Sequence, residues 1–175
     1  MGRFVENELL AWALGERDLG DHVLEVGPGP GLGTDVLRDK VPRLTAVEVD
    51  SGLALRLSRR LAGTNVEVVQ ADATNLPFRS ARFSAAACFT MLHHIRSPAL
   101  QDRLMAELHR LIRPGGIVVG TDSTETPVRR ELHLGDVFTP IEPAGWAERM
   151  AAVGFVAVCV EQLEDRFRFA AEVPA

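Results

Sequence analysis

Short apolar runs alternate with amphipathic helical segments along most of this 175-residue chain, and this alternation limits what it can fold into. A strand, a helix and a second strand in succession favour a parallel sheet with helices packed on both of its faces, the α/β class. The expected strands are 22–26, 44–49, 66–70, 83–89, 117–120, 155–160 and 167–171. The expected helices are 6–14, 32–37, 53–61, 97–111 and 143–153, with 121–140 as a loop.

The last two expected strands are separated by only a short connection, so they must pair antiparallel, because a parallel return needs a crossover of a dozen or more residues. The predicted fold is therefore a Rossmann-like, mostly parallel seven-stranded sheet with helices on both faces and a C-terminal antiparallel hairpin. Ligands of such sheets bind at the carboxyl ends of the strands, near the point where the strand order reverses.

The length fits one domain spanning residues 1–175, since no repeat, low-complexity tract or linker interrupts the pattern. Cys88 and Cys159 both lie in apolar runs, which favours buried, reduced thiols. The net charge of −5 disfavours a nucleic-acid partner. No apolar run approaches the roughly 20 residues that span a bilayer, and the first residues lack a signal-peptide core. We therefore expect a cytoplasmic protein with no membrane partner.

The first strand ends in a glycine loop, VLEVGPGPGLGT, at Val23–Thr34. A dinucleotide fingerprint, G-x-G-x-x-G, needs its third glycine at position 32 or 34, which are leucine and threonine here, and the lysine of a phosphate-binding P-loop is absent. The pattern is instead acid-x-G-x-G-x-G, formed by Glu25, Gly27, Gly29 and Gly31. An acid beside the loop suits a ligand with a cationic amino-acid tail better than a pyrophosphate.

Two further acids stand at strand ends. Glu48 lies in the second strand about 20 residues past the loop, where an acid commonly binds a ribose diol. Asp72 follows the third strand, where its carboxylate can accept from an adenine amine while the Ala73 N–H donates to a ring nitrogen. Three acids at the ends of three successive strands predict a pocket for an adenosine with a cationic tail.

On these residues the chain resembles the class I S-adenosylmethionine (SAM)-dependent methyltransferases, in particular their small-molecule, type 11-like domain. The match runs from Val23 to Gly120 and includes the stretch A-D-A-T-N-L-P-F at Ala71–Phe78. The family usually has aspartate where this chain has Ser84, a difference that we expect to affect strand capping rather than SAM binding. The resemblance implies SAM as cosubstrate, S-adenosylhomocysteine as product, and a binding set of Glu25, Gly27, Gly29, Gly31, Glu48, Val49, Leu53, Asp72, Ala73, Phe89 and Thr90.

The reaction that the resemblance implies is in-line displacement at a sulfonium methyl, which depends mainly on positioning and, for some acceptors, on a general base. The candidate bases are His93 and His94 after the fourth strand, together with Asp122 and His133 in or beside the loop after the fifth. A structural role for the His93–His94 pair, with one ring packed or bound to backbone, remains the alternative. No spacing typical of a carboxylate metal cluster is present, so no metal is predicted.

The acceptor class is inferred mostly from missing motifs. Nucleic-acid amino-methyltransferases carry Asn or Asp followed by Pro-Pro and an aromatic residue after the fourth strand, where this chain has Thr90-Met91-Leu92-His93. Cytosine-C5 enzymes need a Pro-Cys nucleophile, but Cys88 follows an alanine. A small-molecule acceptor is therefore favoured. The site is covered by the 121–140 loop, covered by a second subunit of a homodimer, or left open.

Three other functions stay open at this point. A NAD-dependent dehydrogenase is disfavoured by the glycine spacing and by Asp72. A SAM-binding sensor or non-catalytic subunit would keep the same binding motifs. A methyltransferase acting on protein or RNA is the third, because A-V-E-V-D at Ala46–Asp50 resembles a string of some rRNA methyltransferases.

Overall fold

A computed structural model describes residues 10–175, and its centre is one seven-stranded sheet. The strands are β1 His22–Val26, β2 Arg43–Glu48, β3 Val66–Gln70, β4 Phe83–Phe89, β5 Ile112–Ser123, β6 Val156–Leu163 and β7 Arg166–Glu172. Their order across the sheet is β3-β2-β1-β4-β5-β7-β6. The first five strands pair parallel, and β7 pairs antiparallel with both β5 and β6. The predicted fold class is confirmed.

Five helices and one short 3-10 turn connect these strands. The helices are α1 Leu32–Arg38, α2 Ser51–Arg60, α3 Pro98–Leu111, α4 Pro127–Leu132 and α5 Pro143–Ala152, and the 3-10 turn is Leu92–His94. Residues 10–14 are also helical, whereas the rest of the predicted helix 6–14 lies outside the described residues. Within residues 10–175, no helix combines the length and the apolar character needed to cross a bilayer.

The two faces of the sheet are covered by different helices. Along β1 successive side chains point to opposite faces, so Leu24 joins the cluster that contains Leu108 of α3 and Trp146 of α5, whereas Val23 joins the cluster that contains Leu37 of α1. The side chains of all five residues are almost fully buried. Because both faces are covered, a ligand reaches the parallel strands mainly at their ends.

The carboxyl ends of β1 and β4 form the switch point of the sheet. Connections from β1 lead outward through β2 to β3, and the chain then crosses to β4 on the other side of β1. The loops after β1 and β4 therefore diverge and leave a crevice, as in other doubly wound sheets. At the opposite end of β4, Ser84 Oγ accepts from the His22 N–H (2.9 Å) and donates to the Leu19 carbonyl (2.7 Å). Ser84 thus ties β4 to the start of β1.

The fifth strand is longer than the predicted 117–120. It begins at Ile112 and includes Pro114-Gly115-Gly116, which lie between the predicted helix 97–111 and the predicted strand. Phe83 pairs with Ile112 but Ala85 pairs with Ile117, so the intervening residues bulge out and the strand then continues. Glycine permits this bulge, since Gly115 has a φ of +74°.

The predicted loop 121–140 is wrong in part, since only residues 124–126 and 133–140 lie outside helices and strands. Residues Thr121–Ser123 are buried in β5, and α4 follows at Pro127–Leu132. Thr126 caps this helix by accepting from the Arg129 N–H (3.2 Å), and Pro127 occupies its first turn. A threonine cap followed by proline is a helix-start signal that the prediction overlooked.

The two cysteines differ, although the sequence predicted both to be buried. Cys88 is fully buried in β4, as expected. Cys159 is exposed, because β6 forms the edge of the sheet and its register shifts between Val156 and Cys159. An apolar run predicts burial only if the strand has neighbours on its faces, and β6 lacks them along much of its length.

Candidate active site

Two adjoining cavities lie at the carboxyl ends of the parallel strands, with volumes of about 540 and 530 Å³. The first is lined by Asp72 and Ala73 after β3, and the second by Glu25 of β1 and the glycine loop. The two cavities are parts of one crevice, because six residues line both of them: Gly27, Glu48, Val49, Met91, His94 and Ile95.

Glu25 is a carboxylate without a cation, buried at the end of β1 with 2% of its surface exposed. Among the described residues, the Thr34 hydroxyl donates a hydrogen bond to Glu25 Oε2 at 2.6 Å. Burial raises the pKa of Glu25 to about 7, an increase that the Thr34 hydrogen bond opposes and the nearby Asp35 charge reinforces. A buried carboxylate beside a cavity in this state is a ready partner for a cationic ligand.

The glycine loop brings backbone against the crevice. Gly27 has a φ of +66°, and a Cβ at that position would lie 2.8 Å from the Cβ of Met91. Gly29 has a φ of +53°, and a Cβ there would meet nothing within 4 Å, so its backbone borders open space. Gly31 (φ +92°) contacts the side chains of α2 instead, where an added Cβ would lie 2.4 Å from Leu57.

Glu48 connects the glycine loop to the end of β2. Its two carboxylate oxygens accept from the backbone N–H groups of Gly29 and Asp50, each at 3.0 Å. The residue is 6% exposed and lines both cavities. Because a carboxylate has about four lone-pair positions, it can also accept from two hydroxyl groups of a ligand.

Asp72 is held in place by the residue two positions later. The backbone N–H and the hydroxyl of Thr74 both donate to Asp72 Oδ1, at 2.8 Å each. These bonds, the backbone one foremost, lower the pKa of Asp72, which is therefore ionised at neutral pH. Both bonds use Oδ1, so Oδ2 can accept from a donor in the cavity that Asp72 lines.

The end of β4 forms the opposite wall of the crevice. Phe89 and Thr90 line the second cavity, and the Thr90 N–H donates to the Thr121 carbonyl of β5 at 2.8 Å. Thr90 has a φ of +53°, an unfavourable conformation for a β-branched residue. Such backbone strain is concentrated at functional sites, where surrounding contacts hold it in place.

The two histidines after β4 have different environments. His93 is buried, and its Nδ1 lies 2.6 Å from Asp122 Oδ1 of β5. The other oxygen of Asp122 accepts the His93 backbone N–H at 3.2 Å. His94 is substantially exposed at its side chain (45%) and lines both cavities. Partial burial and the neighbouring His93 lower the pKa of His94.

Most of the residues predicted for binding lie around the crevice. Gly31 and His93 do not line either cavity, and Asp122 contacts His93 instead of the cavity. Met91 and Ile95 line both cavities but were not predicted, although they flank the histidine pair and position alone could have indicated them. Asp136 lines the first cavity as well, and nothing in the sequence near it indicated this.

Comparison with known sequences gives the family. A family model described as a methyltransferase domain matches residues 24–120, more than half of the chain. A probable S-adenosylmethionine-dependent methyltransferase of Mycolicibacterium smegmatis is 25% identical over 155 residues, which cover 82% of this chain and 58% of that protein. The ribosomal RNA small subunit methyltransferase A of Bordetella pertussis is 38% identical over 80 residues, covering 46% of this chain and 30% of that protein. The chain thus spans only part of the length of these curated relatives.

Comparison with solved structures gives the same fold. A phosphoethanolamine N-methyltransferase 2 of Haemonchus contortus, solved with phosphomonomethylethanolamine and S-adenosylhomocysteine, superposes with a TM-score of 0.80 at 16% identity. The superposition covers 98% of this chain and 53% of that structure. Since the methyltransferase domain model covers the strands and loops that build the crevice, this chain belongs to the class I SAM-dependent methyltransferase family.

Proposed function

We propose that this chain binds SAM in the crevice and transfers its methyl group to a small-molecule acceptor. The observation that carries the proposal is the placement of three carboxylates, Glu25, Glu48 and Asp72, at the ends of β1, β2 and after β3, around two joined cavities. Glu25 lines the second cavity, Glu48 lines both and Asp72 lines the first, an order that suits the amino-acid tail, the ribose and the adenine of SAM.

The residues that line the crevice fit SAM better than a dinucleotide. Glu25 is buried without a cationic partner among the described residues, and the ammonium of the amino-acid tail would neutralise it. A pyrophosphate in the same place would lie beside a buried acid, which is repulsive. The open space next to Gly29 lets a ligand approach the backbone directly. These features disfavour the NAD-dependent alternative.

The adenosine part is assigned to the other two acids. Glu48 would accept from the ribose hydroxyls through the lone pairs that Gly29 and Asp50 leave free. Asp72 would accept from the adenine amine through Oδ2, with the Ala73 backbone beside the ring and Val49 and Leu53 against its faces. When bound, SAM supplies a methyl group already activated on a sulfonium, so positioning is the main task of the protein.

Proton removal from the acceptor is assigned to the histidine pair. His94 lines the crevice, and its lowered pKa keeps its imidazole neutral at pH 7 and able to accept a proton. His93, fixed by Asp122, would position its neighbour, because the two rings lie 4.1 Å apart between centroids. If replacing both by asparagine leaves turnover and SAM binding unchanged, neither residue takes part in the reaction.

SAM binding is tested by titration calorimetry with SAM and S-adenosylhomocysteine on wild type, Asp72→Asn and a matched control. We expect Asp72→Asn to weaken binding by about 10-fold or more, since a hydrogen bond to a charged group contributes about 1.5–3 kcal/mol. Asp39→Asn, an exposed acid outside the crevice, should leave the affinity unchanged. Equal affinities for wild type and Asp72→Asn would contradict the adenine assignment, and no binding by wild type would contradict the proposal itself.

The acceptor class is tested by transfer of a labelled methyl group from SAM. We expect incorporation into a small-molecule fraction of a metabolite extract. The second candidate, methylation of RNA, is favoured by the 80-residue similarity to ribosomal RNA small subunit methyltransferase A. Incorporation into ribosomal RNA would establish that candidate instead. Binding of SAM without transfer to either fraction would indicate a sensor or a non-catalytic subunit.

A further inference from the structure

We propose that His93, His94 and His133 form a binding site for a divalent transition-metal ion of the Zn²⁺ class. One potential ligand nitrogen from each residue lies within 4.8 Å of the others. The ring centroids are 4.1 Å apart for His93 and His94, 5.1 Å for His93 and His133, and 5.4 Å for His94 and His133. Three imidazoles in mutual contact are the ligand set of many catalytic zinc sites.

The hydrogen bonds of two of these rings favour metal ligation. His93 Nδ1 lies 2.6 Å from Asp122 Oδ1, and His133 Nδ1 lies 2.7 Å from the carbonyl of Arg129. If each Nδ1 carries the proton that these acceptors require, the lone pair of each ring is on Nε2. A histidine that donates one N–H to a carboxylate or a carbonyl while its other nitrogen binds the ion is the usual arrangement in metal sites.

The cluster is partly fixed and partly accessible. His93 is buried, and the His133 ring stacks on Phe138 at 4.6 Å with an interplanar angle of 22°. The His94 side chain is 45% exposed, which gives an ion access to the cluster, and its Nδ1 lies 3.7 Å from Asp136 Oδ2. Ligand nitrogens around a tetrahedral ion are about 3.3 Å apart, given Zn–N bonds of about 2.0–2.1 Å. Loading therefore requires the rings to move together by about an ångström or less each.

Three protein ligands leave at least one coordination position for a water or a substrate group. His94 borders the crevice, so an acceptor's hydroxyl or thiol could occupy this position. That role rests on the proposed function. A bound ion would lower the acceptor's pKa, so the proton would leave to solvent and His94 would act as a ligand instead of as the base. The acceptor's oxygen or sulfur would then form the new bond to the methyl carbon. The sulfonium sulfur would keep the electron pair of the bond that breaks.

The site is tested by equilibrium dialysis of the full, tag-free chain with Zn²⁺, and by the visible spectrum of the Co²⁺ form. Both use a Cys159→Ser background, because that exposed thiol is an adventitious metal ligand. We expect one ion per chain. His133→Ala and His94→Ala should each lower the affinity by at least about 100-fold, since loss of an outer hydrogen-bond partner alone typically lowers it 10- to 100-fold. Asp122→Asn keeps all three imidazoles and changes the side chain that His93 Nδ1 contacts, so its loss of affinity should fall in that smaller range.

The matched control is His109→Gln, because His109 lies on α3 against Phe155, away from the cluster. Its metal affinity should equal that of the background protein. Affinities unchanged in His133→Ala and His94→Ala, or no stoichiometric ion in the background protein, would overturn the proposal. SAM affinity is measured on the same samples without metal, so a missing metal site and a missing SAM site give separate results, and circular dichroism verifies that each variant is folded.

Discussion

The carboxyl group of Glu25 is buried, which couples its charge to both folding and ligand binding. The acid before the glycine loop was predicted to meet a cationic tail, and it lines the second cavity. Its pKa of about 7 follows from burial, which no local pattern encodes. Because the folded-state pKa lies above the ordinary value of 4.5, ionisation at neutral pH and above opposes folding by up to about 3 kcal/mol. A cationic ligand would relieve that opposition.

SAM affinity should therefore depend on pH through Glu25. Only the ionised carboxylate attracts the ammonium, so we expect the affinity to rise by about 10-fold per pH unit between pH 5 and 6.5 and to level off above pH 7. Calorimetry across this range measures it. Glu25→Gln should bind weakly with little pH dependence, whereas Glu16→Gln, a change in an exposed acid, should keep the wild-type profile. A flat wild-type profile would contradict the pairing.

At the scale of elements, the glycine loop between β1 and α1 needs glycine both for its backbone conformation and for close packing. Gly27, Gly29 and Gly31 all have positive φ values, which glycine adopts without steric cost. Their surroundings differ: Gly27 packs under Met91, Gly31 packs on α2, and Gly29 borders open cavity. The family resemblance put all three glycines in the binding set, and the structure adds that Gly27 and Gly31 lie close to protein side chains.

Gly29→Ala should separate backbone strain from ligand contact. Gly63 is a suitable control, because it also has a positive φ (+79°), also has nothing within 4 Å of an added Cβ, and lines neither cavity. We expect both alanine variants to lose about 1–2 kcal/mol of stability, measured by denaturant unfolding. Only Gly29→Ala should also weaken SAM binding, by about 10-fold or more, because its methyl group would occupy ligand space. Equal SAM affinities in the two variants would show that the ligand does not approach Gly29.

At the scale of the whole molecule, the sheet depends on β7, which follows all the other strands in the sequence. β7 lies between β5 and β6 and pairs with both. Its pairing with β5 runs from Glu172 opposite Ile117 to Arg166 opposite Ser123. Phe167 and Phe169 of β7 are fully buried in the larger core, where Trp146 contacts Phe169 at 5.6 Å. The core beneath the crevice is therefore complete only when the end of the chain is in place.

Deleting residues 166–175 should prevent stable folding, because it removes β7 with its two buried phenylalanines and leaves β6 and one edge of β5 unpaired. We expect loss of the cooperative thermal transition in circular dichroism. Deleting only Pro174 and Ala175 is the control: the last backbone pairings, between Val173 and Gly115–Gly116, remain. A cooperative transition in the longer deletion would mean that the first five strands fold without β7.

The sequence by itself determined the order of strands and helices, the parallel sheet with its closing hairpin, and the acids at three strand ends. It could do so because these follow from local periodicity, from turn chemistry and from the rule that parallel strands end at one edge. Only the tertiary structure decided that His133 joins His93 and His94, that Cys159 is exposed, and that a helix, α4, lies within 121–140. The first two depend on contacts between distant parts of the chain. Helix α4 begins at a local signal, Thr126-Pro127, but none of its residues is buried, so it has no apolar stripe that periodicity could detect.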